Sequence, residues 1–249
     1  MKTKNDFAGS AKYYDTILNK KDYTKNADFV AKILKKNEVT SVLEIACGTG
    51  LYLFPLKKKG FDIDGLDIGK KMLDVARKSG FRGKLYKKDM SEFNLGKKYD
   101  SILILNSGLI LLPNMKLIGK TLRKSKEHLK ENGLLLIDLP NHSKEIKECK
   151  NAVEIERYKI SGGKMEVTFR DYKKGNKWIS DWKGVVKIKG KKDEKFSEYY
   201  EELIYSVREM ERLIKKNGFK ILKVYGSRRG SKFDSHKSWR RFYVLKKVK

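Results

Sequence analysis

The sequence has little cysteine: two in 249 residues, Cys47 and Cys149. Two thiols make neither a disulfide framework nor a zinc set, so no metal is expected. Cys47 falls in a glycine turn and reads as a small packed residue rather than a nucleophile. Long apolar runs are also missing. The longest, Ile102 to Leu112, is interrupted by Asn106 and Ser107 and is too short to cross a bilayer. Met1-Lys-Thr-Lys-Asn-Asp6 carries no apolar signal core. The expectation is a cytoplasmic protein with no membrane partner. No internal repeat or low-complexity linker divides the chain. Its length suits one large α/β domain, or a core domain with an insertion.

Acidic residues are scarce beside basic ones, 31 Asp and Glu against 59 Lys and Arg, for a formal charge of +28. Such an excess is either a footprint for nucleic acid or another anion, or a lysine bias spread over the whole surface. Lysine far outnumbers arginine and is scattered from Lys2 to Lys249. Sequence-reading contacts favour arginine forks. The spread-out reading is preferred, and a nucleic-acid or protein target stays as the alternative.

What is present is organised around Val42-Leu-Glu-Ile-Ala-Cys-Gly-Thr-Gly50. Val42, Leu43 and Ile45 read as a short strand buried in a parallel sheet. It runs into Gly48-Thr-Gly50 and then an apolar segment of helical character. Strand, glycine turn and helix aim backbone N–H groups and a positive helix end at a ligand. Glu44 precedes the turn, and the third glycine of a dinucleotide fold is missing. Asp67 ends the next strand, about twenty residues on, where a carboxylate accepts both hydroxyls of a ribose. Asp89 and Met90 follow a third strand-like piece. Asn106 and Ser107 stand at the carboxyl end of a fourth, the end at which open α/β sheets bind ligands.

Glu44-x-Ala-Cys-Gly-Thr-Gly, Asp67, Asp89-Met90 and the strand from Tyr99 to Ser107 resemble the successive motifs of class I S-adenosylmethionine-dependent methyltransferases. Tyr14-Asp15 with Lys21-Asp22-Tyr23 resembles the N-terminal signature of the sugar N-methyltransferase branch, whose members act on amino groups of nucleotide-linked deoxysugars. The resemblance implies an α/β fold, a Rossmann-like seven-stranded sheet with an inserted antiparallel lid. It implies S-adenosylmethionine as cofactor and an amino sugar or similar small molecule as N or O acceptor. Glu44 would lie near the cofactor's amino-acid end, and Ala46, Gly48 and Gly50 of the turn would bind the cofactor with it. Ile68 would pack on the adenine, with Asp89 and the Met90 N–H at its edge. Asn106 would face cofactor and acceptor alike. Tyr14 and Tyr23 would close an aromatic lid over the sulfonium, which attracts aromatic faces.

The general base is not evident. Tyr14 and His128 are the catalytic candidates; His128, on a helix expected over 117–129, reads first as an ordinary half-exposed histidine and second as a proton acceptor. That helix is expected to stop at Gly133. Segments 153–160, 164–172, 177–188 and 196–205 are rich in β-branched and aromatic residues and are punctuated by glycine turns. They read as an antiparallel sheet occupying 141–205, between a core of 1–140 and 206–249. That insert either shapes the acceptor pocket, through Tyr158, Arg170, Trp178 or Trp182, or forms a homodimer surface. Ser206 with Glu209 reads as a capping box opening a helix over 207–216. Arg228 and Arg229 are either a phosphate clamp or solvated loop charges.

Overall fold

Apolar runs and glycine turns alternate along the chain, and the elements follow them. A computed structural model describes residues 5–18, 23–148 and 152–248. Lys21, Asp22 and Cys149 lie outside the described residues. In order come α1 (Tyr14–Leu18), α2 (Tyr23–Lys36), β1 (Ser41–Ile45), α3 (Leu53–Lys58), β2 (Asp62–Asp67), α4 (Lys70–Lys78), β3 (Leu85–Lys87) and β4 (Tyr99–Ile104). Then follow α5 (Met115–Glu127), β5 (Leu129–Pro140), α6 (His142–Glu148), β6 (Ala152–Ile160), β7 (Gly163–Lys174), β8 (Lys177–Ile188) and β9 (Glu194–Leu203). The last three are α7 (Val207–Lys216), β10 (Phe219–Tyr225) and β11 (Arg240–Lys247).

Seven strands form one sheet in the order β10-β11-β5-β4-β1-β2-β3, and β6 to β9 form a second, four-stranded sheet. In the large sheet β1 pairs in parallel with both β2 and β4, while β11 runs antiparallel to β5 and β10. This is the Rossmann-like α/β architecture, with a separate antiparallel sheet. The central strands are apolar on both faces because helices cover both. Leu43, Ile102, Ile104, Leu135 and Ile137 point to one core with α5 and α7. Val42, Leu103, Leu134 and Leu136 point to the other with α2 and α3. Successive residues of a strand alternate between these cores, as the pleat requires. From β1 the strand order runs one way to β2, and from β4 the other way to β5. That reversal opens a crevice at the carboxyl ends of β1 and β4.

The N-terminal segment ties the sheets together. Tyr13 and Ile17 pack on Tyr158, Met165, Val167 and Trp182 of the four-stranded sheet. The Ser10 N–H and hydroxyl both donate to Glu198 of β9, at 3.0 and 2.9 Å. Asp15 accepts from the Thr49 hydroxyl in the glycine turn. Among the described residues, no helix is long and apolar enough to cross a membrane.

Two expectations about elements need correction. The helix begins at Met115, where the Asn114 side chain accepts from the Leu117 N–H at 3.0 Å, and ends at Glu127 with His128 as its C-cap. Gly133 is therefore not the helix stop. It lies in β5, next to Asn132 at φ +59°, where the pairing with β4 shifts register. Helix α6 was not expected at all. The capping of α7 is as expected: the Ser206 hydroxyl accepts from the Glu209 N–H at 3.2 Å.

Candidate active site

Glycine is required at residue 48, because the chain turns there with φ +54°. The turn points the Gly48 N–H at Asp67, whose Oδ2 accepts it at 2.7 Å. The Gly69 N–H donates to Oδ1 of the same carboxylate, also at 2.7 Å. Two backbone donors thus fix the carboxylate plane while each oxygen keeps a lone pair for another donor. Burial raises the Asp67 pKa, and the backbone donors oppose that rise. Gly50, at φ +91°, is outside the cavity wall; its N–H donates to the Cys47 carbonyl and its own carbonyl accepts from Phe54, which leads the turn into α3.

The non-glycine residues Ala46, Asn106 and Ser107 also have positive φ, at 55°, 51° and 64°. All three follow the carboxyl ends of β1 and β4, so the backbone is strained on both sides of the crevice. The Asp138 side chain, fully buried on β5, holds one side of it. Its Oδ2 accepts from the Asn106 N–H at 3.2 Å and from Arg228 Nε at 2.6 Å, and its Oδ1 from Arg240 Nε at 2.9 Å. Burial alone would raise the Asp138 pKa; the two guanidinium groups outweigh it and hold the acid below its ordinary range. Arg228 is neither solvated nor a free phosphate clamp, because this carboxylate occupies it. Arg229 is exposed on the same loop.

The crevice contains a cavity of about 580 Å³. Tyr14, Tyr23, Glu44, Ala46 and Gly48 line it, and so do Asp67, Ile68, Asp89, Met90 and Asn106. Ile68 is an exposed apolar side chain at its rim. Asp89 Oδ1 accepts from the Ser91 N–H and hydroxyl at 2.6 and 2.7 Å. Glu44 Oε2, the Tyr23 hydroxyl and Asn106 Oδ1 are buried without a hydrogen-bond partner among the described residues. Burial pushes the Glu44 carboxyl well up, and Asp67 nearby adds to that. Buried unmatched acceptors are costly and mark where a donor-bearing ligand fits. Burial also raises the Tyr14 phenol, and that of Tyr23 to about 12. The Tyr14 ring meets Phe7 edge-on at 5.6 Å.

His128 is not part of this site. Its carbonyl accepts from the N–H of Tyr99, the first residue of β4, so it sits at the opposite end of the sheet. Its Nε2 accepts from the Leu95 N–H at 3.0 Å, and its Nδ1 lies 2.8 Å from the Lys124 carbonyl. Both ring nitrogens are engaged, and the ring lies tilted against Phe93 with centroids 4.4 Å apart. Of its two readings the structure supports the ordinary one: His128 is the C-cap residue of α5.

The far wall of the cavity was only partly anticipated. Trp178 and Trp182 line it; Arg170 does not, and Tyr158 lies in the cluster behind. Glu145, Asp171, Ser180, Tyr200 and Glu202 complete it. Strand register explains their convergence. Asp171, Ser180 and Tyr200 are direct cross-strand neighbours, and Trp178 lies opposite Glu202. Residues two apart share a face, so these side chains stand together on the face turned to the cavity. Glu145 comes from α6, just past the carboxyl end of β5. That placement was the available signal: a carboxylate one helical turn beyond a strand end faces the ligand side of the sheet.

A family model described as a methyltransferase domain matches residues 18–224. A dTDP-3-amino-3,4,6-trideoxy-alpha-D-glucopyranose N,N-dimethyltransferase of Streptomyces venezuelae is 31% identical over 120 residues, 47% of this chain and 51% of that protein. The chain thus spans about half the length of this relative. An S-adenosylmethionine-dependent methyltransferase from Clostridium acetobutylicum superposes with a TM-score of 0.82 at 21% identity, covering 98% of this chain and 100% of the other. S-adenosylmethionine-bound CalS10, an amino pentose methyltransferase from Micromonospora echinaspora, superposes with a TM-score of 0.75 at 19% identity over 92% of each chain.

Proposed function

We propose, on the premise that this chain belongs to the methyltransferase domain family, that it moves a methyl group from S-adenosylmethionine to the nitrogen of a small amine, an amino sugar or a compound like it. The observation that carries this reading is the cavity's two-sided wall. One side is the Gly48 turn with Asp67, and the other is the aromatic and acidic face of the four-stranded sheet. The amino-sugar acceptor of the Streptomyces venezuelae relative supports the acceptor class.

The residues present fit this cofactor. Asp67 offers two anchored oxygens to the ribose hydroxyls, and Asp89 with Met90 offers an acceptor and an N–H for the adenine edge. Glu44 Oε2 and Asn106 Oδ1 are buried acceptors for an ammonium. When bound, the cofactor supplies an electrophilic sulfonium methyl. The chain's own part is binding, orientation and exclusion of water. Tyr14, tied to the glycine turn through Asp15 and Thr49, closes over the cavity as an aromatic lid. The four-stranded sheet covers the acceptor.

The charge of the lining supports a small cationic guest over a polyanion inside the cavity. Its wall includes the carboxylates of Glu44, Asp67, Asp89, Glu145, Asp171 and Glu202; its guanidinium groups, Arg228 and Arg240, are both taken by Asp138. A cation is the complementary guest. The test is methyl transfer from labelled S-adenosylmethionine to amines, nucleotide-linked amino sugars and total RNA at two salt concentrations. Label on an amine supports the reading. Label on RNA alone, with affinity collapsing in salt, overturns it.

A further inference from the structure

Beyond cofactor binding, the cavity ends in a group of acids around one histidine. His142 opens α6 and is 4% exposed. Neither of its ring nitrogens has a hydrogen-bond partner among the described residues. Its Nε2 lies 3.9 Å from Glu145 Oε2 and 3.9 Å from Glu202 Oε2, pointing between the two carboxylates. Both acids line the cavity, and Glu145 Oε2 is itself buried without a partner. Tyr205 meets the His142 ring edge-on at 5.3 Å and fixes it from behind.

Like charges held this close in an apolar setting are unfavourable unless a cation or a proton joins them. Strand β9 brings Glu202 and Tyr200, and β7 brings Asp171, which already accepts from the Ser180 hydroxyl at 2.6 Å. Strand β11 brings Arg240, but its Nε is committed to Asp138, and its Nη2 donates to the Ser107 hydroxyl at 2.9 Å. Helix α6 brings His142, while its Lys144 reaches Glu148 and the Lys237 carbonyl instead. Arg240 and His142 offset the charge on Glu145 only through space, since its buried Oε2 has no hydrogen-bond partner among the described residues, and Trp178, Trp182 and Tyr200 stand beside it.

We propose that Glu145 and Glu202, with His142 between them, bind the acceptor's amine as an ammonium ion and take its proton. This rests on the amine-acceptor reading above. An ammonium has no lone pair and cannot be methylated. In the step assigned here its N–H bond breaks, an O–H bond forms on Glu145, and the electron pair stays on nitrogen as the nucleophilic lone pair. The carboxylate becomes a neutral acid and the ammonium a neutral amine, so charge balances. Glu145 is suited to the step, because burial first and Glu202 second push its carboxyl up to about 6. His142 is a positioning residue, set 3.9 Å from each of the two carboxylates.

The test uses the full chain, with 3-amino-3-deoxyglucose and glucose as probes that differ by one amine. Binding is followed by ligand-observed NMR, and S-adenosylmethionine binding separately by calorimetry. Glu145→Gln and Glu202→Gln keep shape and remove charge. Each is expected to weaken the amino sugar by at least about tenfold, and to leave glucose and S-adenosylmethionine within about twofold. In methyl transfer, kcat/KM of the wild type rises as pH climbs through about 6, and Glu145→Gln loses that limb. Wild-type affinity for the amino sugar in both variants overturns the proposal, as does a wild type that does not prefer the amine to glucose. If the wild type gives no heat with S-adenosylmethionine, the broader reading falls too; if that heat is present and only the amine result fails, this inference alone is lost.

Discussion

Arg228 reaches Asp138 across 90 residues of chain, Nε to Oδ2 at 2.6 Å, with the acid fully buried. The same carboxylate takes Arg240 and the Asn106 N–H, so one side chain on β5 holds the C-terminal loop, β11 and the strained turn after β4.

Removing that acid strands two guanidinium groups. Asp138→Ala is expected to cost about 3–5 kcal/mol, the range for breaking a buried ion pair from one side. The Asp138 pKa is lowered in the fold, so the unfolded chain binds its proton first as pH falls. Its contribution is complete above the ordinary carboxylate range and is lost as pH drops through the lowered value. Urea titrations of wild type and variant at neutral and acid pH check both statements: the gap between them should narrow in acid.

Asp67→Asn tests the nucleoside half of the site. The amide keeps one acceptor oxygen but places an NH₂ against a backbone N–H that now donates at 2.7 Å. Losing a charged hydrogen bond to a ribose hydroxyl is worth about 1.5–3 kcal/mol, so S-adenosylmethionine should bind about 10- to 100-fold more weakly by calorimetry. Unchanged affinity would remove Asp67 from the ribose.

His128→Ala separates structure from catalysis. The Leu95 N–H loses its partner, while the Lys124 carbonyl keeps the backbone N–H of residue 128, at a cost of about 1–3 kcal/mol in denaturant unfolding. Methyl-transfer kcat/KM should stay within about twofold, because the ring is at the opposite end of the sheet.

Asp100 joins β4 to β1. Its Oδ2 accepts from the N–H and hydroxyl of Ser41, at 2.8 and 2.7 Å, and from those of Thr40, at 3.1 and 2.9 Å. Burial opposes ionisation, but Lys130 and these donors prevail and lower the pKa. Asp100→Ala should cost about 2–3 kcal/mol at neutral pH, with the loss shrinking as pH falls below the carboxylate range. Thermal melts over that range provide the measurement.

The primary structure was enough to establish the strand, turn and acid pattern of residues 42–67, because those signals are local. A buried strand must be apolar, a positive φ selects glycine, and an acid at a strand end follows within one βαβ unit. The four hairpin strands were equally visible from their glycine turns. Folding in three dimensions decided what depends on neighbours far apart in the chain. The sequence left His128 open between an ordinary half-exposed histidine and a proton acceptor, and Leu95 and Lys124, by engaging both its nitrogens, decided it. Arg228 looked like a loop charge until Asp138 met it. Glu145, Asp171 and Glu202 carry no shared motif; only the register of β7, β8 and β9, and the short helix after β5, bring them to one wall. Local steric and hydrophobic preferences are written along the chain, whereas the convergence of charges is set by packing.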